Sequence, residues 1–333
     1  MTITVMMIGC GAFARRYHVP AFDQDPSVRI GAIFDPTPSA ETLALAARHG
    51  ASVCARLDAL PATAGIAFAL VTTPHTLHAG HIDAALDRGL PVLVDKPFVM
   101  GAADAIRMAG RADQAGLLNA VAYNRRFDRN CQRAREMIRG GRIGQPRFVQ
   151  TVQLGYELAG WFLEPALGGG GPYTGRATHM ADLVPWLLDR SPTRLRSRLR
   201  ESSPQRSDHG GFIELQFDEL ECHLTCVEEG WHMWDEVRIF GDEGLIELRR
   251  PLTVPIGWTL DCITERTERA EHFDADATPG GATRNFIAAL RGTEAVACSF
   301  AQAVPSVRLI ELAFASAKNG GDWLELQGAA TAG

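Results

Sequence analysis

The chain has 333 residues, a net charge of −6 and 22% charged side chains, values of an ordinary globular protein that exclude a disordered or low-complexity chain and leave room for two domains. Basic residues are scattered. The densest group, Arg194, Arg196, Arg198 and Arg200, has the period-2 spacing of a solvated strand face, so no nucleic-acid partner is expected. The seven cysteines, an odd number, fit a reducing compartment. No basic residue precedes the opening apolar stretch, and apolar runs such as 66–71 are too short to span a bilayer. A cytoplasmic protein with no membrane partner is expected.

In chain order, β-rich runs at 3–8, 29–34, 66–72, 91–94 and 117–122 alternate with helical stretches at 39–49, 78–87 and 102–114. This alternation predicts a doubly wound parallel sheet, a Rossmann domain over residues 1–122. The pattern then changes. A helix is predicted at 128–138, followed by alternating segments at 147–154, 194–200, 211–217, 221–227, 236–240 and 244–248, with helices at about 177–188, 282–291 and 301–318. Residues 123–333 therefore read as an α+β domain with a large, mostly antiparallel open sheet covered by helices on one face. Cys222, His223 and Cys226 invite a metal reading, yet residues four apart on a strand are roughly 13 Å from each other. Buried thiols with His223 pointing away are expected instead, and no metal.

The first run ends in Gly9-Cys10-Gly11-Ala12-Phe13-Ala14 and opens a helix. Gly9 permits a tight turn, Gly11 lets the backbone approach a pyrophosphate, and small Ala14 lets the helix pack on the strand. Asp35 ends the second strand, where a carboxylate accepts bonds from ribose hydroxyls and opposes a 2′-phosphate. NAD is thus favoured, with NADP as the alternative. Thr72-Thr73-Pro74 and Asp95-Lys96-Pro97 end later strands, where open α/β sheets bind ligands.

With Thr73-Pro74 followed by His78, Asp95-Lys96-Pro97, the segment Tyr123 to Phe127, and a triple glycine before His179, nearly the whole chain resembles the Gfo/Idh/MocA family of glucose-fructose, inositol and rhizopine oxidoreductases. The resemblance implies hydride transfer between a nicotinamide and a secondary alcohol or ketone of a sugar-like molecule, by a homodimer or homotetramer. It places Lys96 at the junction of nicotinamide and substrate, has Asp95 help hold the nicotinamide ribose, and adds His78 and Asn124 to the cofactor residues. Lysine chemistry agrees, since an ammonium stabilises charge developing on oxygen.

The family's second-domain motif places an aspartate where this chain has Gly175, but His179 and Asp182 match. His179, at a predicted helix start, is either the general base or a capping and packing residue. Arg176 either grips an acidic substrate or faces solvent. Tyr156, Trp161, Phe162 and Tyr173 bracket the glycines, where aromatics cover the apolar faces of sugars; His232 and Trp234, beside Trp231, are further candidates. Arg126 is expected to tie the domains together near the nicotinamide and to help bind the substrate. Gly175 leaves two other readings open: a dinucleotide-binding sensor with weakened turnover, or a reductase of an imine or enone.

Overall fold

The computed structural model describes residues 2–60, 65–156, 159–200, 208–228, 230, 232–251, 257–265, 270–276 and 279–326; Trp231 lies outside them. Two compact units emerge, one of Met1–Asn124 with Pro279–Val304, the other of Arg125–Thr278 with Pro305–Gly333.

The first unit is built on β1 (Ile3–Ile8), β2 (Val28–Phe34), β3 (Ser52–Cys54), β4 (Phe68–Val71), β5 (Val92–Asp95) and β6 (Asn119–Ala122), in spatial order β3-β2-β1-β4-β5-β6. Every pairing in it is parallel. The crossovers carry α1 (Ala12–Tyr17), α2 (Val19–Asp23), α3 (Ala40–His49), α4 (His78–Leu86) and α5 (Ala102–Gln114). Central strands buried on both faces are nearly all apolar, and β1, β4 and β5, buried at every position, carry only Thr4 and Asp95 as polar residues. Helix α3 starts where the Ser39 hydroxyl accepts the Thr42 N–H and stops at Gly50, whose φ of 64° suits a left-handed cap.

The second unit contains α6 (Arg129–Arg139), the strands β7 (Pro146–Leu154), β8 (Arg194–Leu199), β9 (Gly210–Phe217), β10 (Leu220–Val227), β11 (Trp234–Gly241), β12 (Gly244–Pro251), β13 (Thr259–Thr264), β14 (Glu271–Phe273) and β15 (Leu324–Glu325), and the helices α7 (Pro165–Gly168) and α8 (Thr178–Leu188). Its nine strands run β14-β13-β12-β11-β7-β10-β9-β8-β15. Only β7 and β10 pair in parallel; the rest are antiparallel. Alternation sets the faces: Cys222, Leu224 and Cys226 enter the core while half-buried His223 lies on the other face, its ring edge-on to Phe148. Burial raises the pKa of both thiols.

Helix α9 (Gly281–Leu290) departs from expectation. Instead of covering the second sheet it packs with α2 and β6 of the first unit. The reason is local chemistry: Phe286 meets Phe68 edge-on at 5.2 Å, Thr283 bonds His18, and Arg291 pairs with Asp25. Residues 279–304, expected in the second domain, thus group with the first unit. Helix α10 (Phe300–Lys318) follows, and no described helix is long and apolar enough to cross a membrane.

Candidate active site

In the first unit the turn after β1 has the form the fingerprint requires. Gly9 has φ 92°, and a Cβ there would lie 2.8 Å from Thr73 Cγ2 and 2.9 Å from the Thr72 carbonyl carbon, so the position admits only glycine. A Cβ on Gly11 would meet nothing within 4 Å. That leaves open space above the first turn of α1, which has neither a side-chain cap nor an acidic residue. The orphan N–H groups of this turn, over Ala12, Phe13 and Ala14, therefore fit an anionic phosphate. Thr72 Oγ1 donates to Gly9 O at 2.8 Å, while Arg15 and Thr42 both donate to Cys10 O, pinning the turn from two sides.

Asp35 stands just beyond β2. Its Oδ1 accepts the Thr37 N–H at 3.0 Å, which orients the carboxylate. Beside it, Phe34, Ala55, Arg56, Leu57, Asp58 and Arg88 line an open recess of about 510 Å³.

Asp95 and Lys96 end β5, both 9% exposed. The Lys96 ammonium lies 5.8 Å from the Phe13 ring centroid, and the Phe13 ring in turn stacks on Tyr17 at 4.3 Å. Thr73 Oγ1 is bonded to His81 Nδ1 at 2.8 Å. Pro74 leads into the turn before α4, and Asn124 opens the short 3₁₀ turn Asn124–Phe127.

His78 plays a different part from the one expected. It is 1% exposed, with Nδ1 2.8 Å from Pro97 O and Nε2 2.9 Å from Thr73 O. Both nitrogens face backbone carbonyls, and the neutral ring donates to one of them, so His78 lies buried between the loops after β4 and β5. Burial lowers its pKa, against the opposing pull of Asp95.

In the second unit the glycine loop runs into a π-helical turn, Tyr173–Ala177, that continues as α8. Gly175 is buried inside this turn. Half-buried His179 therefore lies more than a turn from the point where helical winding begins, and the macrodipole effect expected there is lost, because it fades within the first turn. π-turns recur at functional sites, where they re-aim side chains.

Tyr173 is no substrate-facing aromatic. It is fully buried, its hydroxyl donates to Phe212 O at 2.7 Å, and burial raises its pKa. Arg126 is likewise committed within the unit, to buried Asp182. Arg176 lies across Gly155, donating to Tyr156 O at 2.6 Å and contacting Met233 Sδ at 2.9 Å; its Nη1 lies 1.0 Å from where a Gly155 Cβ would be. Tyr156 is 52% exposed with its hydroxyl 3.5 Å from His232 Nδ1, Trp161 stacks on Phe162 at 3.8 Å, and Trp234 Nε1 donates to Glu236.

Two organising carboxylates were not anticipated. Asp208 accepts the N–H groups of Gly171, Tyr173 and Gly210, holding the glycine loop. The Asp-His-Gly-Gly run at 208–211 carried that signal, since aspartate commonly bonds backbone two residues on. Asp235 pairs with Arg125, 110 residues away, at 2.9 Å, and with Arg250, its cross-strand neighbour in the β11–β12 pair. Burial lowers the Arg125 pKa to about 10 despite that pairing.

The first unit is thus a dinucleotide-binding Rossmann fold whose carboxyl edge carries a buried lysine. Comparison agrees: residues 3–123 match the description "Oxidoreductase family, NAD-binding Rossmann fold", and residues 131–247 match the "GFO/IDH/MocA C-terminal domain". The chain belongs to the Gfo/Idh/MocA oxidoreductase family and carries its NAD-binding Rossmann fold. It is 29% identical over 205 residues to a 1-carboxy-3-chloro-3,4-dihydroxycyclo hexa-1,5-diene dehydrogenase of Comamonas testosteroni, covering 60% of this chain and 51% of that one. It is 30% identical over 207 residues to inositol 2-dehydrogenase 1 of Saccharopolyspora erythraea, covering 61% and 60%. The match thus spans between half and three fifths of these relatives' length. The solved aldose-aldose oxidoreductase of Caulobacter crescentus, complexed with glycerol, shares the fold at TM-score 0.83, with 19% identity over 98% of this chain and 100% of that one.

Proposed function

We propose that the chain is an NAD-dependent dehydrogenase or reductase acting on a secondary alcohol or ketone of a sugar, inositol or related polyhydroxylated molecule. The observation that carries this reading is Lys96, buried beside Asp95 at the carboxyl end of β5 in an NAD-binding fold. NAD, when bound, supplies the hydride acceptor or donor. Gly9, Gly11 and the first turn of α1 would hold its phosphates, Asp35 the adenosine ribose, and Asp95 the other ribose. The Lys96 ammonium hydrogen-bonds the reacting oxygen and stabilises the charge that develops there, with Asp95 balancing the buried charge. His179 exchanges the proton. Relatives named as dehydrogenases of inositol and of D-glucosides support the substrate class.

The test is reduced-nicotinamide absorbance with NAD or NADH and a panel of sugars, inositols and carbonyl compounds. Lys96→Ala is expected to lower turnover by about 10²–10³-fold while NAD affinity stays within about threefold. His179→Asn should depress turnover. Near-normal rates in both variants would overturn the assignment.

Gly175, in place of the family carboxylate, favours one second reading, reduction of an imine or enone, which makes less demand on a carboxylate. Turnover confined to such compounds in the same panel would select it. We also propose a cytoplasmic homodimer or homotetramer, assembled through the strand face opposite the second unit's core; light scattering of the purified chain reads its mass.

A further inference from the structure

We propose that His18 is a cofactor-positioning residue, which together with Asp95 clamps one hydroxyl of the ribose next to the nicotinamide. His18 lies between α1 and α2 and is 1% exposed. Its Nδ1 is 2.8 Å from Thr283 Oγ1, so α9 fixes the ring from the far end of the chain. When the Thr283 hydroxyl donates to Nδ1, the ring proton sits on Nε2. That Nε2 faces Asp95 Oδ1 at 3.9 Å, and neither atom has a hydrogen-bond partner among the described residues.

Two buried polar atoms left unmade in one place are costly, and native interiors seldom leave them so. The gap is too long for a direct hydrogen bond. One hydroxyl, accepting from Nε2–H and donating to the carboxylate, would satisfy both atoms at once. The same corner holds Lys96: the His18 ring lies 6.1 Å from the Phe13 ring, above which the ammonium sits.

Strand order says which hydroxyl. Asp35 follows β2 and Asp95 ends β5, on opposite sides of β1 in the order β3-β2-β1-β4-β5-β6. With the adenosine ribose at Asp35 and the phosphates at the turn after β1, a hydroxyl on the β5 side belongs to the nicotinamide half. A water could present the same chemistry, so the experiment separates the two. The inference rests on NAD binding and is independent of the substrate and of the roles given to Lys96 and His179.

Dissociation constants would be measured calorimetrically, without turnover, for NAD, for ADP, which ends before the second ribose, and for NAD analogues lacking the 2′- or the 3′-hydroxyl of the nicotinamide ribose. The unaltered protein should bind one deoxy analogue about tenfold more weakly than NAD. In His18→Leu, NAD should weaken about tenfold, ADP should be unchanged, and discrimination against that analogue should vanish. Equal weakening of NAD and ADP would mean a purely structural role and overturn the proposal. Undiminished discrimination would overturn it too, since a water would then fill the gap. Thr283→Val keeps the imidazole but frees its tautomer, and should reduce NAD affinity and discrimination by about threefold without altering ADP. If His18→Leu does not fold, that variant decides, and unchanged discrimination in it rejects the clamp.

Discussion

Arg126 grips Asp182 in a fork, Nε to Oδ2 at 2.9 Å and Nη2 to Oδ1 at 2.5 Å, with both side chains buried. Asp182 lies one helical turn beyond His179 on α8, so the pair anchors the helix that carries the proposed base. Breaking such a pair strands a charge in the interior. Arg126→Met should therefore lose about 3–5 kcal/mol of stability, and Arg126→Met with Asp182→Leu markedly less. Urea unfolding of both variants reads the difference; equal losses would mean that the charges are not coupled.

His81 links acid to the cofactor loop. Burial, and secondarily His78, lower its pKa to about 4, while its Nδ1 is bonded to Thr73 Oγ1. The unfolded chain takes up this proton near pH 6.5 and the folded one only near 4, so the unfolded state binds more protons in between. Stability is complete above the unfolded value and declines as pH falls through that window, by about 1–2 kcal/mol once partial exposure is allowed for. Denaturant unfolding from pH 7 to 4 should show the slope, and His81→Gln should flatten it.

Asp35 presents a carboxylate held by the Thr37 N–H. Replacing it with serine removes the anion that opposes a 2′-phosphate, and the NADP-to-NAD affinity ratio should rise about tenfold or more. Tighter binding of NADP than of NAD by the unaltered protein would refute this reading of the carboxylate.

Tyr173 separates packing from substrate contact. Its hydroxyl is bonded within the core, so Tyr173→Phe should cost about 1 kcal/mol in urea unfolding and leave the substrate KM unchanged. A large KM change with unaltered stability would return this residue to the pocket. Exposed Tyr156 should show the reverse pattern.

Much of this molecule follows from short-range pattern. The parallel strands, the glycine turn at Gly9 and Gly11, Asp35, and the strands 194–227 that place Cys222 inward are legible because helix and strand periodicity, turn chemistry and the fingerprint are all local in sequence. Strands as short as β3, β14 and β15 offer too few residues to show alternation.

Tertiary structure decided the rest. Periodicity shows that α9 is amphipathic but not which sheet receives its apolar face, and Phe68, Asp25 and His18 draw it to the first unit. A buried polar side chain is defined by its partner, and the partners here are remote: Arg126 lies 56 residues from Asp182, and His18 lies 265 residues from Thr283. No local rule of propensity or spacing joins such pairs; only the packed chain brings them within hydrogen-bond reach.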